Sequence, residues 1–216
     1  TNVVGTVNLL ISCVEEKVGK FVFVSSCAVY GEPEFLPVNE RHPTNPISPY
    51  AESKLAAEHF CLGFHEKQLL KSVVLRLFNV YGRRQGVNDY CGVITRFIDC
   101  GRQGLPLIIY GDGSQTRDFV NVRDVADAVL SSMKSNNAEG EVFNIGFGTP
   151  TSIHDLAKTV LELTGSSLDI LFDKPRLGEI RHSYADISKA KELLGYSPKF
   201  CLRDELRNLL AEDALL

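Results

Sequence analysis

Residues 20–26 read KFVFVSS, and the interpretation of this run decides the fold. It is β-branched and aromatic, with no polar residue between Phe21 and Val24. A strand with one wet face alternates apolar and polar residues, whereas a strand covered on both faces does not. The run therefore predicts a buried strand of a parallel sheet. Upstream, VGTVNLLISCVEEK (4–17) places Val7, Leu10, Ile11 and Val14 on one side of a helix. Downstream, GEPEFLPVNERHPTNPIS (31–48) is rich in Pro, Asn and Glu and reads as a loop over a site. SPYAESKLAAEHF starts at Ser48, a plausible cap, with Pro49 at the first helical position; the helix is expected to run to about Lys67. SVVLRLFNVYG (72–82) reads as a second buried strand. Helix, strand, helix, strand is the α/β signature.

Beyond Tyr81 the pattern loosens. GRRQGVNDYCG (82–92) is expected to be loop, and VITRFIDCGRQG (93–104) a helix ended by Gly104. PLIIYGDGSQTRDFVNV (106–122) suggests two short strands around a GDGS turn. A helix over 123–135, with Val125, Ala128 and Val129 inward, leads to a strand over 141–146. A helix capped by Ser152 and closed by Gly165 follows, then a strand over 167–173. Last comes a helix capped by Asp186 and stopped by Gly195.

Of the 216 residues, 44% are apolar and 23% charged, the composition of an ordinary globular protein, and the net charge is −4. That balance gives no pull toward nucleic acid or an anionic membrane, so an anionic ligand would have to be held by a few placed arginines. The six cysteines (Cys13, Cys27, Cys61, Cys91, Cys100 and Cys201) form no CxxC pair and no Cys/His cluster of zinc spacing, so no metal is expected. A reducing cytoplasm fits them best. No signal peptide or membrane-length apolar run is visible. The text begins at Thr1, already helical in character, which suggests a cut.

Two features point to chemistry. Tyr50 and Lys54 are four residues apart on a helix and so face the same way. An ammonium near a phenol favours the phenolate, which makes a base of a group that ordinarily titrates near ~10. The same spacing also describes a packed tyrosine and a solvated lysine. Ser25 and Ser26 end the first buried strand, where open α/β sheets place their ligands; serines there also serve to satisfy backbone groups.

Taken in order, SSCAVYG, SPYAESK, LRLFNVYG, GDGSQTRDFVNVRDVA and GEIRHSYADISKAKELLGYSP resemble the extended short-chain dehydrogenase/reductases. Within them the chain is most similar to the nucleotide-sugar 4-epimerases of the UDP-glucose (galactose) type. The resemblance runs through essentially the whole chain. It implies a partial Rossmann-like, doubly wound parallel sheet lacking its first strands, with a smaller mixed α/β substrate-binding lobe. Residues 1–82 would belong to the NAD-binding part. Residues 83–216 would form mainly the nucleotide-sugar lobe, with about 118–150 returning to the sheet. It further implies that Tyr50 takes the proton from the sugar O4 while hydride passes from C4 to NAD. The resulting 4-keto sugar turns over and receives the hydride on its other face. Lys54 would hold the nicotinamide ribose and keep Tyr50 ionisable, and Ser26 would hydrogen-bond O4.

By the same resemblance, Arg117 and Arg176 would clamp the diphosphate. Asn79 would contact the nucleotide sugar, Tyr110 the uracil, and Glu179 the uridine ribose. Ser183 stands where some epimerases carry a bulky tyrosine, which would leave room for an N-acetylated sugar. Dehydratases of the family have an acid just before VYG; Cys27 and Ala28 stand there instead, in favour of simple epimerisation.

The family's glycine-rich dinucleotide fingerprint is not found in these 216 residues. GFGTP at Gly146 has the wrong spacing, and GDGS opens no helix. The strand at 21–25 is expected to expose a parallel edge. Helices 4–16 and 49–66 match the pair that forms a two-fold homodimer in the family. Three readings follow: a piece of an NAD-dependent UDP-sugar epimerase, a short UDP-sugar-binding module without turnover, or a subunit completed by another chain.

Overall fold

The computed structural model describes residues 1–86, 92–176 and 178–212. In order, the first elements are α1 (Asn2–Glu15), β1 (Phe21–Ser26), α2 (Pro49–Glu66), β2 (Ser72–Leu77), β3 (Asn79–Tyr81), α3 (Val93–Gln103), β4 (Leu107–Tyr110) and β5 (Thr116–Asn121). They are followed by α4 (Val122–Lys134), β6 (Val142–Ile145), β7 (Pro150–Ser152), α5 (Ile153–Thr164), β8 (Ile170–Asp173), β9 (His182–Ser183), α6 (Ser188–Leu194) and α7 (Leu202–Glu212).

The expected buried strands form a parallel sheet in the order β1-β2-β6. Phe21 faces Ser72 at one end of the β1–β2 ladder and Ser26 faces Leu77 at the other. Val74 faces Val142 and Leu77 faces Ile145 on the far side of β2. Parallel neighbours need long crossovers, and helices supply them. Both faces of the sheet are covered, as the unalternating runs require. Val74 and Phe23 pack with Leu10 of α1 and with Ala57 and Cys61 of α2. Val73 and Leu75 point the other way, to Val125 and Ala128 of α4 and Ala190 of α6. This is a partial Rossmann-like layering, with helices on each side of a parallel sheet. Among the described residues β1 has a strand on one side only.

The run 72–82 is two strands rather than one. The break falls at Phe78, whose N–H donates to Ile145 O at 2.9 Å, the last bond that β6 can offer. Past it, β3 leaves the first sheet and pairs in parallel with β5, Asn79 facing Phe119. The strands flanking the GDGS turn do not pair with each other. β4 lies in parallel against β8, and β5 takes β3, β7 and β9. Ser114 N–H donates to Asp112 Oδ1 inside the turn, so the reversal is local, while burial chose the strand partners. Leu107 and Ile109 are fully buried against Phe97 of α3 and Leu156 and Val160 of α5, in a second core that also takes Leu206 of α7. α7, β7 and β9 were not read from the sequence.

The helix punctuation follows expectation. Gly104, Gly165 and Gly195 end α3, α5 and α6 in left-handed backbone, at φ 67°, 62° and 64°. Ser152 Oγ accepts from Asp155 N–H at 2.9 Å. Asp186 caps α6 from one residue earlier than the helix boundary implies, its Oδ1 accepting from Ser188 N–H at 2.9 Å. The 31–48 loop carries one strand-like bridge, Val38 to Ala185. The five described cysteines are free, and Cys91, with the loop reading over 87–91, lies outside the described residues.

Candidate active site

The side chains expected to form a site lie in two groups, at two places. The first is the carboxyl end of β1. Ser26 Oγ accepts from Ala28 N–H at 3.2 Å and so caps the 3-10 turn Cys27–Tyr30 that leaves the strand. α2 begins beside it. Ser48 Oγ accepts from Ala51 N–H at 3.2 Å and Pro49 fills the first helical position, which starts the helix just before Tyr50. The Tyr50 side chain is half exposed. Lys54 Nζ stands 6.0 Å from the Tyr50 ring centroid and 5.0 Å from that of Phe23, and donates to Val24 O at 2.9 Å. Burial holds the Lys54 ammonium below the usual lysine range, and the Glu58 charge pulls it back up. An ammonium has three donors, so two remain for other oxygens at this strand end.

Beneath this pair runs a buried polar network that sequence reasoning missed. Glu58, one turn beyond Lys54, is fully buried. Arg76 of β2 donates from Nε to both its oxygens at 3.1 Å and from Nη2 to Oε2 at 2.6 Å, and Ser25 Oγ donates to Oε1. The Arg76 guanidinium lies 4.8 Å from the Tyr30 ring centroid, and Tyr30 OH donates to Asn144 Oδ1 at 2.7 Å. Burial pushes the Tyr30 phenol up to about 12, against the pull of Arg76. A glutamate in a helix reads as a solvated helix former, and only the strand register reveals its partner.

The second place is a cavity of about 200 Å³ whose walls include Asn79, Tyr110, Arg117, Arg176 and Glu179, five of the six residues expected to hold a nucleotide sugar. A wider cleft of about 730 Å³ shares Tyr110, Arg176 and Glu179 and adds Phe172 and Arg181. The Arg176 guanidinium stacks 3.9 Å from the Tyr110 ring centroid, a cation–π contact. Arg117 Nη2 donates to Glu179 Oε1 at 3.1 Å and its Nη1 to Thr116 O at 2.9 Å. Burial lowers its affinity for the proton, and Glu179 opposes this. Asn79 Nδ2 donates to Asp118 O at 3.2 Å. Arg96, from the first turn of α3, also lines this cavity and was not foreseen.

Tyr50, Lys54 and Ser26 are not among the residues lining either space. Between the two places stands Cys27. Its thiol is pushed up to about 12 by burial and by the Asp118 charge, against a hydrogen bond with Ser183. Ser183 is buried and stands opposite Arg117 in the β5–β9 ladder, so it belongs to this partition and not to the cavity wall. Asp118 is another buried carboxylate that the sequence did not disclose. Its oxygens accept from Phe147 N–H at 2.7 Å, Gly148 N–H at 2.9 Å and Ala185 N–H at 3.1 Å. The GFGTP stretch thus does bind an anion through its backbone, and the anion is the chain's own Asp118.

Comparison with known proteins places this geometry. A model of the NAD dependent epimerase/dehydratase family matches residues 1–146. The chain belongs to that family. A relative from Methanocaldococcus jannaschii, provisionally named as a UDP-glucose 4-epimerase, is 42% identical over 210 residues, covering 97% of this chain and 68% of that protein. The UDP-glucose 4-epimerase structure from Thermotoga maritima, solved with UDP-glucose, superposes with a TM-score of 0.94 at 37% identity, over 100% of this chain and 71% of that one. The UDP-N-acetylglucosamine 4-epimerase of Methanobrevibacter ruminantium M1, in complex with UDP-N-acetylmuramic acid, gives 0.94 at 34% identity, over 99% and 69%. This epimerase-family chain thus spans about two thirds of the length of these relatives, and its fold is theirs over that length.

Proposed function

We propose that this chain carries the acid–base residues and the nucleotide-sugar cavity of an NAD-dependent UDP-sugar 4-epimerase. The reading rests on the convergence of Asn79, Tyr110, Arg117, Arg176 and Glu179 on one cavity. They come from β3, β4, β5 and the segment after β8, and no packing need brings two guanidinium groups to one space. Guanidinium forks suit a diphosphate, and the stacked Tyr110 offers a π-face to a pyrimidine. Glu179 accepts from Arg117 and can accept from a ribose hydroxyl as well.

At the other end, Tyr50 removes the proton from the sugar O4 and later returns it. Lys54 stabilises the phenolate, and the Ser26 hydroxyl, already accepting from Ala28 N–H, donates to O4. Bound NAD supplies the hydride acceptor and donor for C4. The residues present fit its nicotinamide-ribose end, where Lys54 has donors to spare. The second reading, a UDP-sugar-binding module without turnover, is favoured by one observation: the Phe147 and Gly148 amides of the GFGTP stretch bond Asp118 rather than standing free for a pyrophosphate.

Calorimetric titration with UDP and with NAD separately, followed by a product assay with UDP-galactose and UDP-N-acetylglucosamine, decides between the readings. Interconversion of either sugar supports the epimerase. UDP binding without NAD binding or turnover leaves the binding module. The N-acetyl preference expected from Ser183 draws no support from its place outside the cavity wall, and the same assay measures it. We also propose a cytoplasmic homodimer through α1 and α2, because Val4, Leu9 and Ile11 of α1 and Phe60 of α2 present apolar surface to solvent; sedimentation tests it. No described helix is long and apolar enough to cross a membrane.

A further inference from the structure

We propose that the Glu58–Arg76 ion pair is the positioning element of the reaction, setting Tyr50, Lys54 and Ser26 relative to one another. The inference rests on the epimerase reading above. α2 meets the sheet through Ala51, Ala57 and Cys61, all buried. Small side chains allow close approach, but they interdigitate little and leave the rotation of a helix about its axis weakly defined. A carboxylate gripped in the fixed plane of a guanidinium defines it. Glu58 is on the Tyr50–Lys54 side of α2, at successive four-residue steps, so fixing Glu58 fixes the direction of both.

Arg76 is the shared pivot. On one side it holds Glu58 of the helix that carries Tyr50 and Lys54. On the other it stacks on Tyr30 of the 3-10 turn that Ser26 caps. Ser25, the neighbour of Ser26 on β1, donates to the same Glu58. Both reacting elements are thereby tied to one residue in the central strand. Tight packing alone does not call for such a pair, because apolar side chains of similar volume stabilise an interior as well or better.

The double variant Glu58→Met/Arg76→Met tests this, since it replaces the pair by apolar side chains and leaves no buried charge unpaired. The expected result is an unchanged or raised thermal midpoint, unchanged KM for the nucleotide sugar, and a kcat lowered by about 10²-fold, the cost of a misplacement on the order of 1 Å. Amide hydrogen exchange at Ala51–Lys54 should rise at least tenfold at the same midpoint. A stable double variant with kcat within twofold of the parent and unaltered exchange overturns the proposal. If the double variant does not fold, Arg76→Lys decides, since it keeps the buried charge paired and removes the planar two-point grip on Glu58. A lower kcat at constant KM, with faster exchange in α2, supports positioning; no change in either overturns it. Absence of turnover in the parent protein refutes the epimerase reading alone, and the exchange measurement then judges the positioning on its own.

Discussion

The two ends of the candidate site hold their charges by opposite means. At the carboxyl end of β1 the charges beneath the reacting residues are buried and saturated. Glu58 takes four hydrogen bonds, and Arg76 is shared between a carboxylate and a ring. In the cavity no described carboxylate is shared by several donors as Glu58 is. Arg176 lies on Tyr110, and Arg117 gives one bond to Glu179 and others to carbonyls. A saturated buried network cannot exchange partners without leaving a charge stranded, so it fixes geometry. Stacked or singly paired arginines can turn to an incoming anion at small cost. One end is built for orientation and the other for capture, and the two should fail separately.

Tyr50→Phe should give the largest effect. It keeps the ring and removes the proton acceptor, so kcat should fall by about 10²–10⁴-fold, the usual worth of a general acid–base group. Calorimetric affinity for UDP should stay as it was, and a parallel loss of UDP binding would break the separation. Arg176→Ala is the converse. Losing a charged hydrogen-bonding group is worth ~1.5–3 kcal/mol, which weakens UDP binding by roughly 10- to 150-fold. With saturating substrate, kcat should be retained within a few fold.

How much of this was legible in the sequence follows the same divide. Tyr50, Lys54 and Ser26 are picked out by local spacing, although their roles come from the family resemblance, and the helix cap and the strand end that place them are local too. The five cavity residues were reached through family resemblance alone, since each arginine by itself looks like a surface cation. Glu58 and Asp118 were not legible at all. Their partners lie 18 and about 30 residues or more away, and it is the strand register and loop closure that bring them together. The division of 72–82 into β2 and β3 was hidden for a related reason. The run has no Gly or Pro before Gly82 to mark a break, and only the length of β6 tells where the first sheet ends.

A smaller effect probes the anchor between the two ends. A Cβ added at Gly146 would come within 2.5 Å of Asp118 Oδ2. Gly146→Ala must therefore displace a carboxylate that three amides hold, and should cost about 1–3 kcal/mol in chemical denaturation. If stability is unchanged, Asp118 does not tie β5 to the loops after β6 and β9.

The alkaline limb of kcat sharpens the comparison from the Lys54 side. Burial lowers this ammonium's pKa, so activity that needs its charge should fall at a pH below the ~10.4 of an ordinary lysine. The sign for stability is opposite. Between the folded and the unfolded value the unfolded chain binds more protons, so stability rises with pH through that window. Lys54→Met should abolish both the rise and the limb, and a limb that survives belongs to another group.

The smallest expected signal concerns the partition itself. The Cys27 thiol is raised to about 12, first by burial and then by Asp118. A raised thiol pKa leaves little thiolate near neutral pH, and the thiolate is the species that reacts with a disulfide reagent. Cys201 is exposed and Cys27 only partly so, and Cys201 should therefore react faster in the native protein. Mass spectrometry of the labelled peptides distinguishes them. Native labelling of Cys27 at a rate near that of Cys201 would mean that the protein around Cys27 opens freely to water, and that burial is not what sets its reactivity.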